Sequence, residues 1–62
     1  MAFTVTGIGA RGLALIGCET VLRALEKAAE LMRRGFLDVM IADLRGAQYT
    51  PDQFDRFFRS ER

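Results

Sequence analysis

The sequence contains no histidine and no tryptophan, and it has one cysteine, Cys18, and one proline, Pro51. One cysteine cannot form a disulfide within the chain, and a zinc site of the Cys/His type would have too few ligands. The usual base partner of a nucleophilic cysteine or serine is also missing. We therefore expect no metal, no cofactor and no enzyme activity.

Long hydrophobic runs are also missing. No segment approaches the roughly 18 apolar residues of a membrane-spanning helix, and the N-terminus lacks the basic region and apolar stretch of an export signal. We expect no membrane association, and the lone cysteine and absent signal predict a cytoplasmic location.

The 62 residues suffice for a single domain, residues 1–62. A core of this size supplies only about 3–5 kcal/mol, so natural domains of this length often gain buried surface from a partner. Nine basic residues stand against eight acidic ones, whereas nucleic-acid modules usually carry a strong basic excess. We expect a homodimer or another protein as partner, and nucleic acid is disfavoured.

The N-terminal third predicts a β-hairpin. Phe3 and Val5 alternate with threonines, which is typical of a strand with one buried face. Residues 9–12 predict a turn, and residues 13–16 predict a second strand that is apolar on both faces. This short run could also begin a helix, although Gly17 disfavours that because glycine costs a helix about 1 kcal/mol relative to alanine.

A helix is predicted from Thr20 to Arg34, and Gly35 follows as a left-handed C-terminal stop. Its apolar residues recur at helical spacing. The predicted buried stripe consists of Val21, Leu25, Ala28, Ala29 and Met32.

After the helix, residues 37–42 predict a strand in which Leu37, Val39 and Ile41 share one buried face. Residues 43–46 predict a turn that begins with an aspartate and ends with a glycine. Residues 47–49 then predict a short return strand.

Residues 50–53, Thr-Pro-Asp-Gln, form a capping box with proline in the first helical position, and they predict a final helix. The element order is then strand, strand, helix, strand, strand, helix. It predicts an α+β fold in which a four-stranded antiparallel sheet, in the order 2-1-3-4, carries both helices on one face.

Surplus apolar surface is expected in two places. The second strand lies at a predicted sheet edge, where apolar residues invite pairing with another chain. The final helix carries three phenylalanines, a large apolar load for one short helix. The interface candidates are Leu13, Leu15, Phe54, Phe57 and Phe58.

Residues 7–12 match the pattern G-x-G-x-x-G, which cradles a pyrophosphate in dinucleotide-binding proteins. Here the helical pattern begins only at Glu19, and the candidate acid Asp43 follows about thirty residues later where about twenty are expected. We favour a glycine-rich hairpin turn for Gly7, Gly9 and Gly12 and leave open whether it binds anything.

Other chemistry-bearing residues have simpler interpretations. Cys18 is interpreted as a small buried residue, and Asp38 and Asp43 lack the further acids that a hard cation needs. Arginines at helix ends and turns could form a local anion patch, although solvated surface arginines are commoner. The patch candidates are Arg11, Arg33, Arg34 and Arg45.

The stretch from Leu25 to Phe58 resembles a group of small, uncharacterised proteobacterial proteins. They share an alanine- and leucine-rich helix, a glycine, the pattern Asp-Val-x-Ile-x-Asp-x-x-Gly, a tyrosine and a downstream phenylalanine. Here these positions are Gly35, residues 38–46, Tyr49 and Phe54. The resemblance implies the same fold and carries no established activity.

The sequence therefore favours a small bacterial protein that acts as a non-enzymatic protein-interaction or accessory module. The alternative is a small anion- or nucleic-acid-binding module that uses the arginine patch.

Overall fold

The computed structural model describes residues 2–61, with the side chain of residue 61 left aside. The elements in chain order are β1 (Phe3–Gly9), β2 (Gly12–Cys18), α1 (Val21–Arg33), β3 (Leu37–Ala42), β4 (Gln48–Tyr49), a 3-10 turn (Pro51–Gln53) and α2 (Phe54–Glu61). The strands form one antiparallel sheet in the order β2-β1-β3-β4. The predicted α+β class and strand order are confirmed, and residues 13–16 lie in a strand.

Both helices pack on one face of this sheet and bury its alternate side chains. The buried residues on the two sides of this layer are Phe3, Val5, Cys18, Val39 and Ile41 from the strands, and Ala24, Ala28, Leu31 and Phe57 from the helices. Phe57 meets Phe3 edge to face, with ring centroids 5.3 Å apart. The core is therefore a single layer between the sheet and the two helices.

The buried face of α1 differs in part from the predicted stripe. Ala28 is buried as predicted, but Met32 is 45% exposed, and Ala24 and Leu31 are buried instead. From Ala28, a step of three residues or a step of four both continue a helical stripe. The packing of α1 on the sheet selects the step of three, so the prediction for Met32 is wrong.

The two ends of α1 follow the sequence signals. The Thr20 Oγ1 atom accepts a hydrogen bond from the Arg23 amide at 3.1 Å. At the other end, Gly35 adopts φ +88°, and the Phe36 amide donates to the Leu31 carbonyl at 3.0 Å. This is the Schellman arrangement that a glycine stop predicts, and it places Phe36 directly before β3.

The start of α2 also forms as predicted. The Thr50 amide donates to the Gln53 Oε1 atom at 3.1 Å, and the Gln53 amide donates to the Thr50 carbonyl at 2.8 Å. Pro51 begins the 3-10 turn that leads into the helix. This capped entry directs Phe57 into the core.

A β-bulge in β3 changes which residues face the helices. Thr6 pairs with Met40, but Ile8 pairs with Leu37, so the register shifts by one residue between these pairs. Asp38, at φ +51°, is the extra residue that this shift introduces into β3. Leu37 therefore leaves the face of the buried Val39, and the prediction that these two residues share a buried face is wrong.

Across residues 2–61, none of the helices has the length and apolar character needed to cross a membrane.

Candidate interaction face

Neither helix packs against the second face of the sheet, here called the open face. Its residues lie in three rows across β2, β1 and β3, because paired residues on neighbouring strands point to the same side. The rows are Leu13–Ile8–Leu37, Leu15–Thr6–Met40 and Gly17–Thr4–Ala42. They form one continuous surface rather than scattered positions.

Two of these rows expose large aliphatic side chains. Exposure is 48% for Ile8, 65% for Leu13, 66% for Leu15 and 69% for Leu37. Together such side chains present apolar surface on the order of 400 Å². That is comparable with the largest patches on monomeric proteins, about 300–600 Å², which are often functional.

The open face carries no formal charge in any of its three rows. Two acidic residues directly follow residues of the face in sequence, Asp38 after Leu37 and Asp43 after Ala42, and Arg11 lies in the turn between β1 and β2. Charged residues are depleted at the buried centres of protein interfaces. The face therefore has the composition of an interface centre.

A depression of about 570 Å³ adjoins the two apolar rows. Its walls include Ile8, Leu13, Leu37 and Met40 from the open face, the charged Asp38 beside them, and Met32, Phe36 and Pro51 from the chain beyond it. It extends to the edge of β3, where β4 pairs only with Ile41 and Ala42. This relief could receive a side chain of a partner.

The predicted interface residues divide between surface and core. Leu13 and Leu15 are exposed on the open face, whereas Phe57 is fully buried. Its ring lies 5.0 Å from that of Tyr49, centroid to centroid, so Phe57 is a core residue and its assignment to an interface is withdrawn. Phe54 is half-buried and packs against the core.

Phe58 is half-buried as well and borders a shallow groove with Ala2, Phe3 and the start of α1. The aromatic helix is thus mainly a core element.

Sequence reasoning missed Ile8, Leu37 and Met40 as members of the open face. The alternation Thr4-Thr6-Ile8 opposite Phe3 and Val5 does indicate that Ile8 lies on the second face. No comparable signal exists for Leu37, because its side depends on the bulge at Asp38.

The four arginines of the predicted anion patch do not converge. Arg11 and Arg34 border one depression near the β1–β2 turn, and Arg33 is exposed in the last turn of α1. Arg45 lies in the turn at the opposite end of β3, where its Nη2 is 3.3 Å from Asp43 Oδ2.

Within the remaining pair, Arg34 already has neighbours of its own. Its Nη1 atom lies 3.7 Å from Glu30 Oε2, and its guanidinium is 6.0 Å from the centroid of the Phe36 ring. This arrangement is more typical of an exposed helix end than of an anion-binding site.

Gly7, Gly9 and Gly12 lie in the β1–β2 hairpin, and the turn leads into a strand. A dinucleotide site requires a helix N-terminus directed at the pyrophosphate, and no such helix follows here. Gly12 adopts φ +122°, outside the range that other residues readily adopt. The motif therefore has a structural role in the hairpin.

Cys18 is buried at the end of β2. Desolvation by burial raises the pKa of its thiol, and the nearby Lys27 and Arg23 charges lower it by less. A raised pKa keeps the sulfur protonated and poorly nucleophilic at neutral pH. These properties agree with the interpretation of Cys18 as a small buried residue.

Asp43 organises the turn between β3 and β4. Its Oδ1 atom accepts hydrogen bonds from the amides of Arg45, at 2.9 Å, and Ala47, at 3.0 Å. Desolvation alone would raise the pKa of Asp43, but these two amides and the Arg45 guanidinium together lower it below its ordinary value. Asp38 lies at the other end of β3, and residues 2–61 contain no group of three or more potential metal ligands.

We expect the contribution of Asp43 to stability to depend on pH. Because its folded-state pKa is lowered, its stabilisation is present above the unfolded pKa, about 3.9, and is lost as pH falls through the folded pKa. Urea denaturation of wild type and Asp43→Asn between pH 7 and pH 2 should show the wild-type advantage shrinking below about pH 4. An advantage that stays constant to pH 2 would contradict this account of Asp43.

Comparison with protein-family models, with curated proteins and with solved structures found no significant match to this chain.

Proposed function

We propose that this protein is a non-enzymatic protein-interaction module that binds through the open face of its sheet. The observation that carries this proposal is the adjoining exposure of Ile8, Leu13, Leu15 and Leu37 on one uncharged sheet face. Burial of this much exposed aliphatic surface in an apolar contact is favourable, because the surface is removed from water.

The chemistry of the face favours a protein over a nucleic acid. Nucleic-acid affinity depends on cations that neutralise phosphates, and the three rows of the open face contain none. Protein interfaces combine an apolar centre with a polar rim. Here Thr4 and Gln48 provide polar groups at the end of the face away from Ile8 and Leu37, and Thr6 lies at its centre.

Site-specific photo-crosslinking tests this proposal in the cells that make the protein. A benzophenone amino acid placed at Leu15 should give protein adducts, because its side chain lies on the open face. The matched control is Leu22, which is similarly exposed at 63% but lies on α1, on the other side of the molecule. Absence of adducts from position 15, or equal adducts from both positions, would refute the proposal.

A further inference from the structure

We infer that the partner of the open face is a second copy of this chain, packed sheet against sheet about a two-fold axis. This inference rests on the proposed function and identifies the partner that the face fits. Three observations support it: the absence of charge in the rows of the face, the distribution of large and small side chains over it, and its area.

The absence of charge makes the face compatible with itself. A two-fold interface brings identical patches together, so a charge near its centre would meet a like charge. None of the three rows carries one, and Asp38 lies beside Leu37 on the β3 side of the face, away from its centre at Thr6. A partner with a charged surface would instead leave its charges desolvated and unpaired against the leucines.

The distribution of large and small side chains over the face is also self-complementary. One end carries the large row Leu13–Ile8–Leu37, and the other end carries the small row Gly17–Thr4–Ala42. A two-fold axis that runs across the strands would place the large row of each copy over the small row of the other. The middle row, with Thr6 at its centre, would then lie against its own copy.

The area of the face suits a dimer of small subunits. Stable interfaces bury about 1,200–2,000 Å² in total. The exposed aliphatic side chains supply on the order of 800 Å² from the two copies together, and the threonines, Met40 and the rim must supply the remainder. Two antiparallel sheets packed in this way stack about 10 Å apart, as in β-sandwiches.

Pairing through the edge of β2 is another way in which two copies could meet. It would continue the sheet through the unpaired side of residues 12–18. Such pairing would leave Ile8 and Leu37 exposed, because both lie away from that edge. Face-to-face packing covers these residues together with Leu13 and Leu15, so we prefer it.

Light scattering behind size exclusion, over a range of concentrations, tests the partner. Wild type should reach twice the chain mass of 7.0 kDa. Leu15→Lys should weaken the dimer at least tenfold, and Leu22→Lys should leave it unchanged. Far-UV circular dichroism confirms that both variants are folded, and Leu15→Thr provides a β-compatible second variant if the lysine unfolds the chain.

Cross-linking tests the arrangement. Ile8→Cys and Thr4→Cys chains, of which one carries a tag, are mixed and treated with a short bismaleimide. The cross-linked product between an Ile8→Cys chain and a Thr4→Cys chain should exceed either product between two identical chains. Two Thr6→Cys chains should cross-link to each other. Wild type, with only the buried Cys18, supplies the background. A dominant Ile8→Cys product with itself would overturn the arrangement in which large and small rows meet.

The outcomes separate this inference from the proposed function. A wild-type monomer at all concentrations, with position-15 adducts larger than two chains, would overturn the second copy and retain the interaction module. A dimer that Leu15→Lys leaves intact would overturn the open face as its interface. A monomer without any position-15 adduct would overturn both proposals.

Discussion

Replacing Phe57 with alanine should lower the free energy of unfolding by about 3–5 kcal/mol. The ring is fully buried, and it contacts Phe3 edge to face and Tyr49 at a tilt. Deleting it removes contacts between α2 and two separate strands and leaves a cavity beside both aromatic neighbours. Because a core of this size supplies only about 3–5 kcal/mol in total, Phe57→Ala should be largely unfolded at 25 °C.

Urea denaturation followed by circular dichroism measures this effect. The matched control is Leu44→Ala, since Leu44 is 79% exposed in the β3–β4 turn and its loss should change stability by less than about 0.5 kcal/mol. Phe57→Leu, which keeps most of the apolar volume, should fall between the two. All samples need equal protein concentration, because self-association would make stability depend on it. A cooperative Phe57→Ala transition at the wild-type midpoint would show that α2 does not hold this core together.

Replacing Gly9 with alanine should cost about 1–3 kcal/mol through overpacking. A Cβ at this position would lie 2.6 Å from Cε2 and 2.9 Å from Cζ of Phe36. The Phe36 backbone is held by its hydrogen bond to Leu31 at the end of α1. Relief therefore has to come from rotation of the half-buried Phe36 ring about its side-chain bonds or from a shift of the hairpin.

A double-mutant cycle isolates this contact. Phe36→Leu removes the ring atoms that the new methyl would meet, so Gly9→Ala should cost less in that background, with a coupling of about 0.5–3 kcal/mol. Gly7→Ala is the matched control, because the Phe36 atom that its Cβ would approach is the Cβ, at 3.4 Å, which leucine keeps, so its cost should be the same in both backgrounds. Equal costs for Gly9→Ala in both backgrounds would mean that the close approach to Phe36 does not limit this position.

The fold was predictable wherever its signals were local. Turn glycines, the Gly35 stop and the Thr50–Gln53 cap each act within a few residues, and their hydrogen bonds form as expected. The strand order 2-1-3-4 also follows from short connections, because a hairpin and one helical crossover leave few arrangements.

The candidate site was predictable only in part. Leu13 and Leu15 stand out in the sequence as an apolar stretch at a sheet edge, and they are exposed as an interface would require. The phenylalanines of α2 have the same apolar character, yet Phe57 enters the core. Composition measures how much apolar surface exists and does not decide which part of it is covered.

The amino-acid sequence by itself thus determined the kinds of elements, their ends and their order. Only the tertiary structure decided that Leu31 and not Met32 is buried, and that the bulge at Asp38 turns Leu37 outward. The physical reason is that the side chains of a strand alternate between its two faces, and that a helical stripe can continue by a step of three or of four residues. A shift of one residue in register therefore exchanges buried and exposed side chains without changing the local pattern.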